Sequence, residues 1–417
     1  MTQTQDPEHY DIVIAGGGMV GISLACALGE ALGDKLRVLV VESFPLPSDS
    51  QAPVYQPSFD ARSTALAAGS RQILEAIGLW PRLASHLCPI STIHVSNRGR
   101  PGSSLLRATE EQLPALGYVV ENHWLGRVLA AQLAEYPSIS WRAPARVSGV
   151  TPEAGRRLVH IERDGGDETI SCELLVIADG ANSPLAQSLG VSYRHTDYAC
   201  QALIANLVTE KPHQGVAYER FTDQGPMALL PLVSDSGESR SALVWTLPDA
   251  LAPTLMTGDD QYFLAQLQER FGFRQGRFLR VGERNSYPLQ LVEASEQVRS
   301  GVVVLGNAAH FLHPVAGQGF NLALRDVARL VEVLAAGYKA GRSLGELALL
   351  EEYLNAQAWD QRKTIAFSDR VSEVFTWSQP LVGIARDIGL STLDVVTPAK
   401  NWFVKHAAGL TGQQAQW

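Results

Sequence analysis

The stretch that most limits the possible folds lies near the start of the chain, where an apolar run meets three consecutive glycines. Residues 12–15 (IVIA) are β-type and unbroken, and Gly16, Gly18 and Gly21 follow in a GxGxxG spacing that opens a helical pattern. A second apolar run, LRVLVVES, contains Glu42 near its end. This order predicts a βαβ unit in a buried parallel sheet, because parallel strands need a crossover and read as continuous apolar runs.

The glycine spacing also predicts a ligand. Glycine permits the tight turn and the close approach of backbone to a pyrophosphate, and the helix that follows offers unpaired N–H groups at its positive end. Glu42 stands where an acidic side chain would accept hydrogen bonds from an adenosine ribose. A glutamate there favours FAD or NAD over a cofactor with a 2′-phosphate. A tight βα turn without a ligand is the alternative interpretation.

Charge and composition exclude some classes of protein. The net charge is −9, and no block of Lys and Arg is present, so we expect no nucleic-acid partner. Cys26, Cys88, Cys172 and Cys200 lack CxxC spacing and suit buried free thiols in a reducing compartment. The N-terminus has no signal-peptide pattern, and no apolar run approaches the ~20 residues of a membrane span. We therefore expect a cytoplasmic protein, or one peripheral to the inner membrane.

The rest of the chain alternates between helical and strand-like blocks. Residues 195–285 are rich in strand patterns and indicate a separate sheet. The stretch SGVVVLGNAAH that follows has the apolar pattern of a buried parallel strand. In chain order, the other predicted elements are a helix at 65–77, strands at 90–120, a helix at 122–136, a meander at 141–178, a helix near 259–271, a helix at 321–340 and a mostly helical C-terminus.

Residues 305–321, LGNAAHFLHPVAGQGFN, contain two histidines three positions apart. His310 and His313 could present metal ligands on one helical face. Pro314 follows at once, two glycines come soon after, and no further ligand cluster lies nearby in sequence. The sequence therefore predicts no metal site. It favours a backbone loop that approaches a flat ligand, with the helix from Asn321 directing its N-terminus at that ligand.

Together with ADGANS at 178–183, these motifs resemble the group A flavoprotein aromatic hydroxylases, which are single-component FAD monooxygenases. The similarity covers about residues 8–345 and includes the DARSTALAAGSRQILEAIGLW block in the expected order. The stretches TIHVSNRG, ERFTDQGPMALLPL and RNSYPLQL resemble the ubiquinone-biosynthesis hydroxylases, in particular those that act on 2-octaprenyl-6-methoxyphenol. That subfamily acts on membrane-derived polyprenyl phenols.

The resemblance implies an α/β fold like that of p-hydroxybenzoate hydroxylase. A Rossmann-like FAD-binding domain would comprise residues 8–90, 121–190 and 286–345. An interleaved antiparallel-sheet substrate domain would comprise 91–120 and 191–285, and a helical C-terminal region would comprise 346–417. The implied activity is hydroxylation of a polyprenyl phenol with FAD, NADH or NADPH, and O₂. Because no second GxGxxG is present, the nicotinamide would bind only transiently.

The resemblance also assigns residues to the cofactor. Those expected at FAD are Gly16, Gly18, Gly21, Glu42, Arg62, Arg127, Asp179, Gly180, Asn307, Gly317, Gln318, Gly319 and Asn321, with Pro314 in the loop beside the flavin ring. Asn307 departs from the family, which has an aspartate that binds a ribityl hydroxyl. Its amide still offers a hydrogen bond but brings no charge.

The residues that handle the substrate are less well defined by sequence. A base for the phenol would help, because a phenolate is the better nucleophile. Its candidates are Tyr218, Arg220 and His313, each of which could equally be a packed or surface side chain. The expected lining of the substrate pocket, for which core packing is an equal alternative, is Met227, Leu229, Leu230 and Pro231.

Other functions stay open at this point. A prenyl reductase or a flavin halogenase would share the scaffold, although the halogenase signature WxWxIP is absent. A subunit that keeps the fold without turnover, acting as a scaffold for other ubiquinone-biosynthesis enzymes, is a further alternative. The C-terminal stretch TPAKNWFVKHAAGL could contact a membrane or such a partner, or could pack on its own domain. Its relevant side chains are Lys400, Trp402, Phe403, Lys405 and Leu410.

Overall fold

A computed structural model describes residues 6–45, 62–99, 103–312 and 317–376, with side chains of the last helix described through residue 369. Up to residue 190 its elements are β1 (His9–Ala15), α1 (Met19–Leu32), β2 (Val38–Val41), β3 (Ser63–Ala67), α2 (Ala68–Ala76), α3 (Trp80–Leu83), β4 (Leu87–Ile90), β5 (Thr92–Asn97), β6 (Ser103–Arg107), β7 (Gly117–Glu121), α4 (Asn122–Leu133), β8 (Ile139–Arg142), β9 (Arg146–Glu153), β10 (Arg156–Glu162), β11 (Glu168–Ile177) and α5 (Pro184–Ser188).

The elements that follow residue 190 begin with the longest strand. They are β12 (Tyr193–Thr209), β13 (Val216–Thr222), β14 (Gly225–Pro231), β15 (Ser239–Pro248), α6 (Ala252–Thr257), α7 (Asp260–Phe271), β16 (Phe278–Val281), β17 (Asn285–Ala294), β18 (Val298–Arg299), β19 (Val302–Val304), β20 (His310–Phe311), α8 (Gln318–Lys339) and α9 (Leu347–Thr376).

A parallel sheet forms the first layer of the fold. Among the described residues, its parallel strands lie in the order β19-β11-β1-β2-β8, and β18 is the antiparallel edge. Ile12 and Ile14 of β1 pack with apolar residues of α1, α4 and α8, whereas Val13 and Ala15 pack on the opposite face with residues of β9 and β10. Burial on both faces explains why the sequence of this strand is an unbroken run of apolar residues.

A second, mostly antiparallel sheet carries the strand-rich middle of the chain. Within the described ranges its strands lie in the order β20-β17-β12-β15-β14-β13-β5-β6, with β16 also paired to β12. Helix α7 packs on one face, where Phe263 and Phe271 contact Trp245 and other residues of β12, β14 and β15. A small sheet, β3-β7-β4, lies between the two larger ones. The α/β fold class expected from the sequence is confirmed.

Three boundaries differ from the sequence-based expectation. The helix predicted at 65–77 is a strand, β3, followed by α2, because STALA pairs with β7 rather than continuing the helix. Helix α8 begins at Gln318 rather than Asn321, since Gly317 caps it in the left-handed conformation at φ +59°. The expected domain boundary after residue 285 falls at the start of β17, which pairs with β12 of the antiparallel sheet.

The cysteines and the histidine pair can also be placed. All four cysteines are free, and Cys26, Cys88 and Cys172 are buried, as expected. His310 is buried in β20, where its Nε2 lies 2.7 Å from Oδ2 of Asp326. His313, Pro314 and the C-terminal stretch from Lys400 to Leu410 lie outside the described residues. None of the described helices combines the length and apolar character needed to cross a bilayer.

Candidate functional site

The glycine turn between β1 and α1 is closed so tightly that side chains are sterically excluded. A Cβ on Gly21 would lie 1.9 Å from the carbonyl oxygen of Gly16, and a Cβ on Gly16 would lie 2.4 Å from that of Ala178. Gly16 also has φ +104°, a conformation that favours glycine. No side chain caps α1 at Gly18, and its first turn has no acidic residue. These amides are therefore available to a phosphate.

Glu42 holds the other side of this turn. Its carboxylate accepts a hydrogen bond from the backbone N–H of Gly17 at 2.6 Å and another from the N–H of Phe44 at 2.9 Å. A carboxylate has about four lone-pair positions, so further positions remain for the hydroxyls of a ribose. Gly17 itself leaves room for the ring of Trp141, which a Cβ at that position would meet at 2.6 Å.

Asp179 follows β11 at the carboxyl edge of the parallel sheet, close to the glycine turn. Its Oδ2 accepts a hydrogen bond from the hydroxyl of Ser183 at 2.8 Å, and Ser183 also caps α5. The side chain is exposed, yet the protein around it partly desolvates the carboxyl group and raises its pKa to about 6. The Ser183 hydrogen bond opposes that shift, and the charge of Glu42 adds to it, so the two carboxyl groups face a common site.

Asn307 and Gly180 border the same edge of the sheet. Gly306 has φ +62°, and a Cβ there would meet Val20 at 2.9 Å, which holds the turn after β19 against the start of α1. The side chain of the next residue, Asn307, is exposed. Gly180 has φ +106° with open space around it. Both residues thus lie at the carboxyl edge of the sheet with free space beside them.

Asn321 joins α8 to the small sheet. Its Oδ1 accepts hydrogen bonds from the N–H of Ala67 and the hydroxyl of Ser70, and its Nδ2 donates to the carbonyls of Ala65 and Gly317. All four bonds are internal, at 2.6–2.8 Å, and the residue is buried. The side chain therefore positions the start of α8 and has no hydrogen-bonding capacity left for a flavin.

The remaining residues of this loop are distinct from Asn321. Gly317 requires its left-handed conformation, whereas a Cβ on Gly319 would meet its nearest neighbours only at 3.9 Å. Gln318 is buried as the first residue of α8. The two expected arginines each stack on an aromatic ring: Arg62 lies over the ring of Tyr287 at 4.9 Å, and Arg127 lies over Trp124 at 5.1 Å.

One face of the antiparallel sheet is only partly covered, and we call it the open face. A row of partly exposed side chains crosses it on β5, β13, β14, β15 and β12. Each is directly opposite the next in the strand ladder, so all project to one side: Val95, Glu219, Ala228, Val244 and Ile204. Four of the five are apolar, which makes this face suited to an apolar ring.

Contacts at two borders of the open face connect it to the small sheet. Arg62, which immediately precedes β3, stacks on Tyr287 of β17, and Asn321 ties β3 to the start of α8. At the other border, Arg240 of β15 makes a bidentate ion pair with Glu121 of β7 at 2.7 and 3.2 Å. The open face is therefore bordered on one side by β3, which is tied to the start of α8, and on the other by β7.

The expected substrate residues divide between the two faces. Tyr218 contacts Phe271 of α7 edge-on at 5.6 Å, and the Nε of Arg220 donates to the carbonyl of Arg270, so both lie on the α7 face. Met227 and Leu229 are core residues beneath α7. Their placement follows from strand alternation, which sends odd and even positions to opposite sides.

Leu230 and Pro231 complete the set of residues expected to line a pocket. Leu230 is partly exposed and packs toward the small sheet with Ile90 and Val119, while Pro231 is buried. Glu219 was not among the residues predicted from the sequence. It stands between Tyr218 and Arg220 in the sequence, but its side chain lies on the open face. The sequence does contain a signal for it. Glu219 is the single acidic residue of β13, and the next strand, β14, carries apolar residues on both faces.

The residues at the glycine turn fit FAD. A turn that excludes side chains, a helix start without a capping side chain, and the carboxylate of Glu42 are what a pyrophosphate and an adenosine ribose require. Among the described residues, the cluster with metal-ligand spacing is His9, Asp11 and Glu173, which lies at the opposite, amino end of β1 and is at least partly exposed. The geometry of the glycine-turn site thus points to a dinucleotide and not to a metal.

Comparisons with known proteins agree with this geometry. A family model described as an FAD binding domain matches residues 9–359. A ubiquinone hydroxylase, UbiL, of Rhodospirillum rubrum is 35% identical over 96% of this chain and 89% of its own length. The 3-demethoxyubiquinol 3-hydroxylase of Escherichia coli is 29% identical over 96% and 98%. The crystal structure of p-nitrophenol 4-monooxygenase from Pseudomonas putida superposes with a TM-score of 0.77, at 18% identity over 97% and 99% of the two chains.

Proposed function

The chain belongs to the FAD-binding-domain family, within its ubiquinone-biosynthesis hydroxylases, and from that premise we propose that it hydroxylates the aromatic ring of a polyprenyl phenol. The reaction uses FAD, NADH or NADPH, and O₂. The substrate that its sequence favours is 2-octaprenyl-6-methoxyphenol or a close relative. The alternatives are a related hydroxylase that attacks another ring carbon and a scaffold subunit that binds FAD without turnover.

The observation that carries this proposal is the open face, which borders β3 and the start of α8 in a chain that also has a dinucleotide turn. An aromatic ring needs an apolar surface with few polar groups, and the row from Val95 to Ile204 supplies one. The contacts of Arg62 and Asn321 connect that surface to α8, whose uncapped N-terminus favours negative charge. A substrate ring and a flavin ring could thus be held in adjacent positions.

When bound, FAD supplies the redox chemistry that activates oxygen. The protein binds and orients it. The amides at the start of α1 and the turn from Gly16 to Gly21 would hold the pyrophosphate, Glu42 would hold the ribose, and the left-handed Gly317 would let the backbone approach the ring system. The apolar side chains of the open face orient the phenol and exclude water from it. Asp179, whose backbone lies next to Gly16, would stand near the pyrophosphate and carries less negative charge near pH 6 than an ordinary aspartate.

We expect oxidation of NADH or NADPH by the FAD-loaded protein to be stimulated by prenylated phenols, and more strongly than by short phenols that lack the tail. The tail adds buried apolar area, and longer apolar ligands bind more tightly for that reason. The assay measures nicotinamide absorbance, with mass analysis of the phenol for one added oxygen. A protein with flavin absorbance near ~450 nm that no phenol stimulates would support the scaffold alternative. A protein without flavin absorbance would contradict FAD binding itself.

Asn307 allows a second test of the cofactor site. We expect Asn307→Asp to bind FAD about tenfold more tightly, because a charge-assisted hydrogen bond to a ribityl hydroxyl is stronger than a neutral one. Asn307→Ala, which loses the bond, is expected to bind more weakly. Equilibrium titration by flavin fluorescence measures both. Equal affinity of the three proteins would show that this exposed position makes no contact with FAD.

A further inference from the structure

Glu219 is the one charged side chain in the row that crosses the open face. Its neighbours in the ladder are Val95 on β5 and Ala228 on β14, and the row continues through Val244 to Ile204. Position 219 therefore places a carboxyl group between two apolar side chains, Val95 and Ala228. Such a group costs free energy unless something compensates it, which makes it a candidate for function.

No hydrogen bond or ion pair compensates this carboxyl group within the part of the chain that the structure describes. Burial alone raises the pKa of Glu219 to about 8. The charged and titratable groups around the open face are engaged with other partners or lie at its edges. They are Arg62 with Tyr287, Arg240 with Glu121 near His123, Asp369 with Tyr198, and the thiol of Cys200.

The two neighbouring side chains on β13 do not share this environment. Tyr218 contacts Phe271, and Arg220 donates to the carbonyl of Arg270, so both point at α7. Strand alternation sends Glu219 to the opposite side, where the substrate ring is proposed to bind. Of the three consecutive polar residues of β13, only Glu219 thus has access to that ring.

We propose that Glu219 binds the hydroxyl group of the phenol substrate and accepts its proton. The inference rests on the proposed function. In this step the phenol O–H bond breaks, a new O–H bond forms on the carboxylate, and the ring oxygen keeps the electron pair as phenolate. Charge is conserved, because the carboxylate becomes neutral as the phenol becomes an anion. The phenolate ring is the more electron-rich and more readily hydroxylated form.

The environment of Glu219 suits this transfer. A phenol has a pKa of about 10 and an ordinary glutamate about 4.3, so the transfer would be unfavourable by roughly a millionfold in water. With the pKa of Glu219 near 8, it is unfavourable by about a hundredfold. The apolar surroundings that raise this pKa also keep water from competing for the carboxylate.

The test compares the FAD-loaded wild type with Glu219→Gln and with Asp223→Asn. The second variant makes the same change of charge four positions away, at an exposed site paired with Arg98. The probe is a prenylated 2-methoxyphenol, assayed for stimulated NADH oxidation from pH 6 to 10. We expect a wild-type rate that rises with pH near 8, a rate about a hundredfold lower for Glu219→Gln at pH 8, and wild-type behaviour for Asp223→Asn. The deficit should shrink toward pH 10, where the phenol ionises unaided.

Two further measurements separate proton transfer from a structural role. A ring-fluorinated, more acidic analogue of the same phenol should restore most of the lost rate, because it ionises without a base. Phenol affinity, measured from the change in flavin absorbance, should fall about tenfold in Glu219→Gln at pH 8 with the loss of one hydrogen bond to a charged group. Thermal unfolding confirms that the variant is folded.

The possible outcomes distinguish a failure of the proposed function from a failure of the role of Glu219. A wild type that no phenol stimulates would refute the proposed function and this inference with it. A responsive wild type whose Glu219→Gln variant keeps the same rate and pH profile would refute the role of Glu219 alone. A variant that is equally impaired with the acidic analogue and at pH 10 would also contradict proton transfer.

Discussion

Replacing Gly21 with alanine is expected to abolish FAD binding and to lower the free energy of unfolding by about 3 kcal/mol. The new Cβ would lie 1.9 Å from the carbonyl oxygen of Gly16, which is backbone and cannot rotate away. Helix α1 would have to move from the turn, and its N-terminal amides would move with it. Titration with FAD and denaturation by urea measure the two effects.

The control for this prediction is Gly165→Ala. That glycine lies in an exposed turn, where an added Cβ would meet nothing within 4 Å. It should bind FAD like the wild type and change stability little, because surface substitutions away from special conformations usually do so. If Gly21→Ala kept wild-type affinity for FAD, the turn from Gly16 to Gly21 could not be the pyrophosphate site.

The second large effect is expected at the buried pair that joins β20 to α8. Asp326 is fully buried, and its two oxygens lie 2.7 Å from Nε2 of His310 and 3.0 Å from Nε2 of Gln361. Removing one partner of such a buried pair leaves the other without compensation, which typically costs about 3–5 kcal/mol. We therefore expect Asp326→Ala to lower the free energy of unfolding by that amount.

A conservative variant isolates the cause of this loss. Asp326→Asn keeps two hydrogen-bonding positions at the same place, and we expect it to cost only about 1 kcal/mol. The double variant His310→Ala/Asp326→Ala should be destabilised by clearly less than the sum of the single variants, because the pair is lost once. Strictly additive losses, or equal losses for Asp326→Ala and Asp326→Asn, would show that the contact contributes little.

The same pair shows how far sequence reasoning could go. The spacing of His310 and His313 drew attention as a metal motif, and Pro314 argued against it. No local pattern could show that His310 instead faces Asp326, sixteen positions along the chain on α8. A contact of that kind depends on how β20 and α8 pack against each other. The residue spacing within either element carries no information about that packing.

The first βαβ unit was predictable for a definite physical reason. A strand buried on both faces, a turn that only glycine can form and a helix start are each local properties of the sequence. β3 was not predictable in this way, because the five residues STALA suit a helix as well as a strand and are fixed as a strand by pairing with β7. Tertiary pairing decided between two weak local preferences.

The substrate side was harder because both faces of β13, β14 and β15 carry apolar residues. Met227 and Leu229 looked like pocket residues, yet they pack beneath α7, and the residue between them, Ala228, lies on the open face. Which alternate set faces the ligand depends on the register of the whole sheet, and a shift of one residue would exchange the two sets. Glu219 becomes visible only once that register is known.

The short strand β20 has a consequence for how this protein could be divided or recombined. It comes from the cofactor half of the chain, directly after the turn at Gly306, yet it pairs with β17 through Val292 and Glu293. The antiparallel sheet is thus completed by a strand that belongs to the other half. An exchange of substrate sheets between relatives would therefore leave β17 with an unpaired edge unless β20 were transferred with it, so these two halves are not interchangeable modules.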